Sequence, residues 1–118
     1  QWLDEVLGTV SLGDGSSKPV GVAVSPDSRT VYVANGAADC VSVVDARTHR
    51  VRRCIPVGRR PWGIAVSPDG RWVYTANGLS NSVSVIDTRS SRTVATIAVG
   101  ARPWGVAVTP TQRSRPAP

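Results

Sequence analysis

The sequence has few of the residues that catalytic and metal sites require. It contains one histidine, His49, and two cysteines, Cys40 and Cys54, without Cys-x-x-Cys spacing, so we expect no zinc site. A single histidine without a neighbouring acid and nucleophile does not form a catalytic triad. There is also no glycine-rich phosphate loop, because each glycine belongs to a turn or a repeat junction. We therefore predict no catalytic residue, no metal and no cofactor within this chain.

Long apolar runs are absent as well. No segment approaches the roughly 18 consecutive apolar residues that cross a bilayer, and the residues after Gln1 do not have the pattern of a secretion signal. No segment shows a helical pattern, whereas runs of β-forming residues recur along the chain. We expect an all-β protein without membrane insertion.

An internal repeat fills most of the chain. Residues 19–60 and 61–102 are two consecutive copies of one 42-residue pattern, and a third copy begins at Pro103 and stops after a few residues. Of the 42 aligned pairs, 23 are identical, which is too many for chance and indicates a repeat architecture. A shared repeat specifies an architecture rather than a chemistry.

Each copy contains four short β runs separated by turn residues. In the second copy they are residues 62–66, 72–76, 83–86 and 93–99. Pro68 and Gly70 predict a tight hairpin between the first two runs, and Ser28 in place of that glycine should cost some strain. Asp45 and Asp87 begin the hairpin loop after the third run and are expected to accept backbone hydrogen bonds. Four antiparallel strands in about 42 residues are typical of a β-propeller blade.

The positions at which the repeats begin and end predict the organisation of the chain. We expect the last strand of a preceding blade and a loop at residues 1–17, blades at 18–59 and 60–101, and the first strand of a further blade at 102–108. Residues 109–118 have lost the pattern and should form a disordered basic and proline-rich tail. The fold class is thus an all-β propeller fragment of two complete blades with flanking single strands.

Several motifs resemble a known repeat family. The segments PWGIAVSPDG at 61–70, VYVAN at 31–35, VYTAN at 73–77 and SVSVID at 82–87 resemble the YVTN repeat of bacterial and archaeal propellers. The resemblance covers about residues 18–108; Thr75 is a mild departure from the motif. It implies a seven-bladed propeller and a periplasmic, extracellular or cell-surface location.

Two blades cannot close a propeller, which needs about four to eight. Each blade buries both faces against its neighbours, and at ~25 cal/mol per Å² a few hundred Å² left open on each face forfeits several kcal/mol. We therefore expect a piece of a larger polypeptide, in which further blades or another chain close the ring.

A basic rim is the main candidate for binding. The formal net charge is +6, and the turns between blades should share one rim with the loops between the second and third strands. The predicted members are Lys18, Arg59, Arg60, Arg102, Asn35 and Asn77, with Asp39 and Asn81 beside them. Cations at one repeated position could hold an anion, an acidic partner or a nucleic-acid backbone. Alternatively, their aliphatic stems merely cover the blade junctions.

Trp62 and Trp104 open the innermost strands of their repeats. They can stack on a ligand near the channel or pack between adjacent blades.

Cys40 and Cys54 lie equally far from a hairpin centre near Arg47. Within one residue of register they are cross-strand neighbours, so they form either a disulfide or two buried thiols. A disulfide would suit an exported protein.

The sequence favours a non-catalytic binding or interaction scaffold. Because related propellers include lactone hydrolases and cofactor-bearing periplasmic redox proteins, an alternative is a piece of such a protein whose active-site residues lie in other blades. Binding of nucleic acid or another anion through the basic rim is a further alternative, and it depends on charge alone.

Overall fold

The computed structural model describes residues 18–101 together with residues 103, 105 and 106. They form two four-stranded antiparallel sheets, each ordered as in the sequence. The first sheet contains β1 (Pro19–Val24), β2 (Thr30–Asn35), β3 (Cys40–Asp45) and β4 (Arg50–Pro56); the second contains β5 (Pro61–Val66), β6 (Trp72–Asn77), β7 (Ser82–Asp87) and β8 (Arg92–Ala98). The predicted all-β architecture of two successive meanders is confirmed.

Some predictions lie outside the described residues. These are the strand and loop at 1–17, the tail at 109–118, and the side chains of Arg102 and Trp104. Of the strand predicted for 102–108, Pro103, Gly105 and Val106 are described, and none of them belongs to a strand. Within the described part of the chain, no helix has the length and hydrophobicity to cross a membrane.

The two sheets pack face to face through apolar side chains. Tyr32, Val41, Val43 and Ile55 of the first sheet form one buried cluster with Val73 and Ile86 of the second, and Val57, Ile64 and Val66 pack against it. These side chains share a face because alternate residues of a strand point the same way. At the innermost strands, a Cβ on Gly21 would collide with the carbonyl oxygen of Trp62. A glycine at this position therefore lets β1 approach β5.

The antiparallel order places the connecting loops at two ends of the sheets. We call the end that carries loops 36–39 and 78–81 and the connection 57–60 the linker rim. We call the opposite end, with turns 25–29, 46–49, 67–71 and 88–91, the hairpin rim. Every blade therefore presents one set of loops at each rim.

The hairpin-rim turns are held by aspartates, as expected. Asp45 Oδ1 accepts hydrogen bonds from the backbone N–H groups of Arg47 and Thr48 at 2.9 and 3.0 Å. In the β1–β2 turn, Asp27 Oδ1 accepts one from the Ser25 hydroxyl at 2.6 Å. The next residue in that turn, Ser28, has a φ of 62°, and its counterpart Gly70 has a φ of 73°. The first repeat therefore adopts the glycine conformation with a serine.

We predict that Ser28→Gly raises the free energy of unfolding by about 1 kcal/mol, because glycine adopts positive φ without the Cβ clash. Gly70→Ser is the matched reverse change and should lower it by a similar amount; a Cβ there would also meet Pro26 Cδ at 3.3 Å. Chemical denaturation of both variants checks this. A destabilised Ser28→Gly variant would contradict it.

We also predict an acid-sensitive contribution from Asp45. Hydrogen bonds from the backbone N–H groups of Thr48 and Arg47, and one from the Arg52 guanidinium, lower the pKa of Asp45 from 3.8 to about 2. Because the folded pKa is the lower one, this stabilisation is present above about pH 4 and is lost as the pH falls towards 2. Denaturation across that range should show a shallower pH dependence for Asp45→Asn than for the wild type. An unchanged slope would contradict the assignment.

Candidate functional site

The connection between the sheets is fixed along its whole backbone. Both of its end residues bind Asp39, in a loop of the first sheet. The N–H of Val57 donates to the Asp39 carbonyl oxygen at 3.1 Å, and the N–H of Arg60 donates to the Asp39 carboxylate at 2.8 Å. The N–H groups of Gly58 and Arg59 donate to Ser84 Oγ and Ser80 Oγ in the second sheet at 3.2 and 3.0 Å. The linker rim is thus built from both repeats, and it presents side chains on a rigid backbone.

Lys18 and Arg60 occupy equivalent positions, as the repeat predicts. Their φ angles are 52° and 58°, both in the left-handed region. Their carbonyl oxygens accept hydrogen bonds from Gly36 N–H and Gly78 N–H, each at 2.9 Å. This shared conformation fixes the direction in which each cationic side chain leaves the rim.

The cationic side chains of the rim have no hydrogen-bonding partner within residues 18–101. No side-chain hydrogen bond or ion pair engages the Lys18 ammonium or the guanidinium groups of Arg59 and Arg60 there. Lys18 and Arg59 are exposed, and Arg60 is half-buried. These three cations are therefore able to bind an anion without breaking a contact of the described chain.

Asn35 and Asn77 are placed differently from the prediction. Both are buried, and their amide groups donate to the serine of the neighbouring strand, Asn35 to Ser42 Oγ at 2.7 Å and Asn77 to Ser84 Oγ at 2.8 Å. Gly58 packs on this group so closely that a Cβ would lie 2.5 Å from Asn77 Nδ2. In this structure the two asparagines hold the rim in shape from inside the sheets, whereas Lys18 and Arg59 are exposed at its surface.

The two asparagines differ in the hydrogen bonding of their amide oxygens. Thr75 Oγ1 donates to Asn77 Oδ1 at 3.0 Å. The first repeat has Val33 at the position of Thr75, and Asn35 Oδ1 is buried and accepts no hydrogen bond from the described residues. The departure from the motif at Thr75 therefore completes a polar network that the first repeat leaves incomplete.

Trp62 lies at the inner end of the linker rim. A Cβ on Gly78 would come within 2.8 Å of its indole ring, so the ring lies across that glycine. Its exposed fraction is 37%. The indole is thus packed against Gly78 and partly exposed to solvent.

Cys40 and Cys54 form a disulfide with a Cα–Cα distance of 5.7 Å. The register differs from the expected one: Cys40 lies opposite Pro56 and Cys54 opposite Ser42. Cys40 is therefore paired two residues beyond Cys54. One residue of this shift comes from the position of the hairpin turn, and the other comes from a bulge that leaves Arg52 unpaired in β4. The cysteines are therefore diagonal rather than direct cross-strand neighbours.

Sequence reasoning did not identify the side chains that hold the linker. Asp39 was noted only as a neighbour of the rim, and Ser80 and Ser84 were not identified, although all three bond its backbone. A serine or aspartate in a loop gives no signal of which backbone it will bind. Residues 18–101 contain no group of three or more histidine, cysteine, aspartate or glutamate side chains that could hold a metal ion.

Solved structures similar to this chain are β-propellers. Hydrazine synthase from Kuenenia stuttgartiensis is 31% identical over 93% of this chain and 30% of its own, with a TM-score of 0.79. Dihydro-heme d1 dehydrogenase NirN, in complex with DHE, is 29% identical over 78% of this chain and 21% of its own, with a TM-score of 0.70. Apo AztD from Citrobacter koseri is 17% identical over 75% of this chain and 26% of its own, with a TM-score of 0.63, and shows the fold alone.

This chain spans less than a third of the length of each of those three proteins. No curated protein matches it. The family of YNCE-like beta-propellers matches residues 10–113, which is most of the chain and includes both sheets. The chain therefore belongs to the YNCE-like beta-propeller family.

Proposed function

We propose that this chain is part of a β-propeller that acts as a non-catalytic binding scaffold, and that its linker rim binds an acidic partner. The supporting observation is that both repeats carry a cation at the same rim position, Lys18 and Arg60. Both residues have a left-handed backbone conformation, which fixes where each side chain begins. Arg59 adds a third positive charge, which is exposed, next to Arg60. Guanidinium and ammonium groups held in this way suit carboxylate or phosphate groups.

We further propose that additional blades cover both outer faces. The repeat supplies an internal comparison: Ile55, covered by the second sheet, is 2% exposed, whereas its counterpart Ile97 is 52% exposed. On the opposite face, Val22 of β1 is 63% exposed. Burying such a side chain is worth about 1.5–3 kcal/mol. Further blades of the same polypeptide would supply that cover on both sides.

The proposed location is outside the cytoplasm. The Cys40–Cys54 disulfide supports it, because such bonds persist mainly in oxidising compartments. The pair also replaces Ser82 and Thr96 of the second repeat, so the fold itself does not require cysteine at these positions.

A second candidate function is a role within a larger redox enzyme. Hydrazine synthase and the dehydrogenase NirN are similar to this chain over 30% and 21% of their lengths. In that case the scaffold would carry no reaction itself, and the chemistry would belong to segments beyond it. Activity measured on the longest polypeptide that carries this chain would distinguish the two candidates.

The open faces predict association of the isolated chain. Sedimentation velocity should show mass rising with concentration, because exposed apolar faces pair in water. Ile97→Glu should reduce this association, whereas Leu79→Glu should not, since Leu79 is exposed to a similar degree in a linker-rim loop. A monomer at all concentrations would contradict the proposal.

The rim predicts salt-dependent binding of an acidic polymer. The combined variant Lys18→Gln, Arg59→Gln and Arg60→Gln should weaken binding of labelled polyglutamate at least about tenfold in fluorescence anisotropy, because each lost charged contact is worth about 1.5 kcal/mol or more. Arg102 is left unchanged.

The matched control removes three charges from the hairpin rim and its strands: Arg50→Gln, Arg89→Gln and Arg92→Gln. If both triple variants weaken binding equally, the binding depends only on the net charge of the chain, and this would contradict a defined site at the linker rim. If the rim variant weakens binding of single-stranded DNA but not of polyglutamate, nucleic acid is the partner instead.

A further inference from the structure

The hairpin rim of the first blade contains a cleft that the proposed linker-rim function does not use. Its volume is about 590 Å³, and its lining consists of Asp27, Arg29, Thr30, Asp45, Arg47 and Arg52. Three guanidinium groups and two carboxylates face this space, so its net charge is positive. The linker rim lies at the opposite end of the strands.

The second blade repeats most of this framework and has an indole ring against its arginine. Asp69, Arg71, Asp87 and Arg89 repeat four of the lining residues without change. The other two lining residues differ: Thr30 replaces Trp72, and Arg52 replaces Val94. The first blade therefore has a hydroxyl where the second has an indole ring, and a guanidinium where the second has an apolar side chain.

These differences change the surroundings of an arginine that both repeats contain, Arg29 in the first and Arg71 in the second. In the second blade, Arg71 lies over the Trp72 ring, 4.7 Å from its centroid, and pairs with Asp87 at 3.2 Å. Arg29 in the first blade has Thr30 in place of the ring. Its corresponding acid, Asp45, pairs with Arg52 at 2.7 Å instead. Among the described residues, the guanidinium of Arg29 therefore has neither of the partners that its counterpart has; its charge helps to lower the pKa of the nearby Asp27.

A backbone irregularity brings Arg52 to Asp45. Arg52 is the unpaired residue of the β4 bulge, and bulges redirect side chains in this way. Backbone N–H groups and Arg52 already engage the Asp45 carboxylate. The Ser25 hydroxyl and the Arg29 N–H do the same for Asp27. Within residues 18–101, the guanidinium groups of Arg29 and Arg47 make no hydrogen bond, so they remain as donors.

We propose that this cleft is a binding site for a small aromatic carboxylate. The ring of the ligand takes the place that Trp72 fills in the second blade and stacks on the Arg29 guanidinium. The carboxylate accepts hydrogen bonds from Arg47, in the planar geometry that arginine offers to such groups. The first blade thereby provides a site that the second blade closes with its own side chain.

Titration of the chain with indole-3-acetate, followed through the arginine side-chain N–H signals in NMR spectra, tests the proposal. We expect a Kd of about 1 mM or tighter, with shifts at Arg29 and Arg47. Acetate, which lacks the ring, and tryptamine, which carries a cation in place of the carboxylate, should each bind at least about tenfold more weakly. Equal binding of all three, or no binding of indole-3-acetate, would overturn the proposal.

Two variants localise the binding. Thr30→Trp should fill the cleft as in the second blade and abolish binding of indole-3-acetate. Arg47→Gln should weaken it about tenfold, while the matched Arg89→Gln in the second blade should leave it unchanged. Binding that survives Thr30→Trp, or equal effects of the two glutamine variants, would overturn the site. The linker-rim triple variant should bind indole-3-acetate normally, so failure of one site does not affect the test of the other.

Discussion

The face-to-face contact between the two sheets is the interaction on which the rest of the structure depends. Ile55 and Val41 of the first sheet are buried against Val73 and Ile86 of the second, and this apolar contact is the main favourable term in their association. It requires close approach of the innermost strands, which Gly21 permits. Because each sheet has two such faces, sheets can continue to stack in one direction, and two of them do not form a closed core. Ile97 shows this: it occupies the position of Ile55 but is exposed, because no third sheet covers it among the described residues.

Polar groups set the geometry that apolar packing leaves undetermined. The connection from Val57 to Arg60 crosses between the sheets, and a buried backbone group without a partner would cost free energy there. Asp39 satisfies it from one sheet, and Ser80 and Ser84 satisfy it from the other. The hydrogen bonds that tie this connection to both sheets therefore also fix the backbone from which Arg59 and Arg60 leave.

Periodicity made the fold predictable, whereas the site was predictable only in part. Strand limits and the turn at Gly70 follow from alternation and turn chemistry, which act over a few residues. Lys18 and Arg60 were found because the repeat carries them to one rim. Asn35 and Asn77 were assigned to the rim because they lie at the loops between the second and third strands, yet tertiary packing buries both. The disulfide register depended on a bulge at Arg52, and no pattern in the sequence marks an unpaired residue.

The two copies show how a repeat separates residues that serve the fold from residues free to change. Several positions that hold turns are identical in both, such as Asp45 and Asp87, whose carboxylates close the hairpin of each blade. The copies differ at other positions, and one of these differences leaves the backbone unchanged. Thr30 in place of Trp72 opens a space without removing a backbone hydrogen bond, since its N–H donates to Ser25 Oγ as that of Trp72 does to Ser67 Oγ, both at 3.0 Å. A blade can therefore acquire a binding surface at its hairpin rim while its strands and turns stay unchanged.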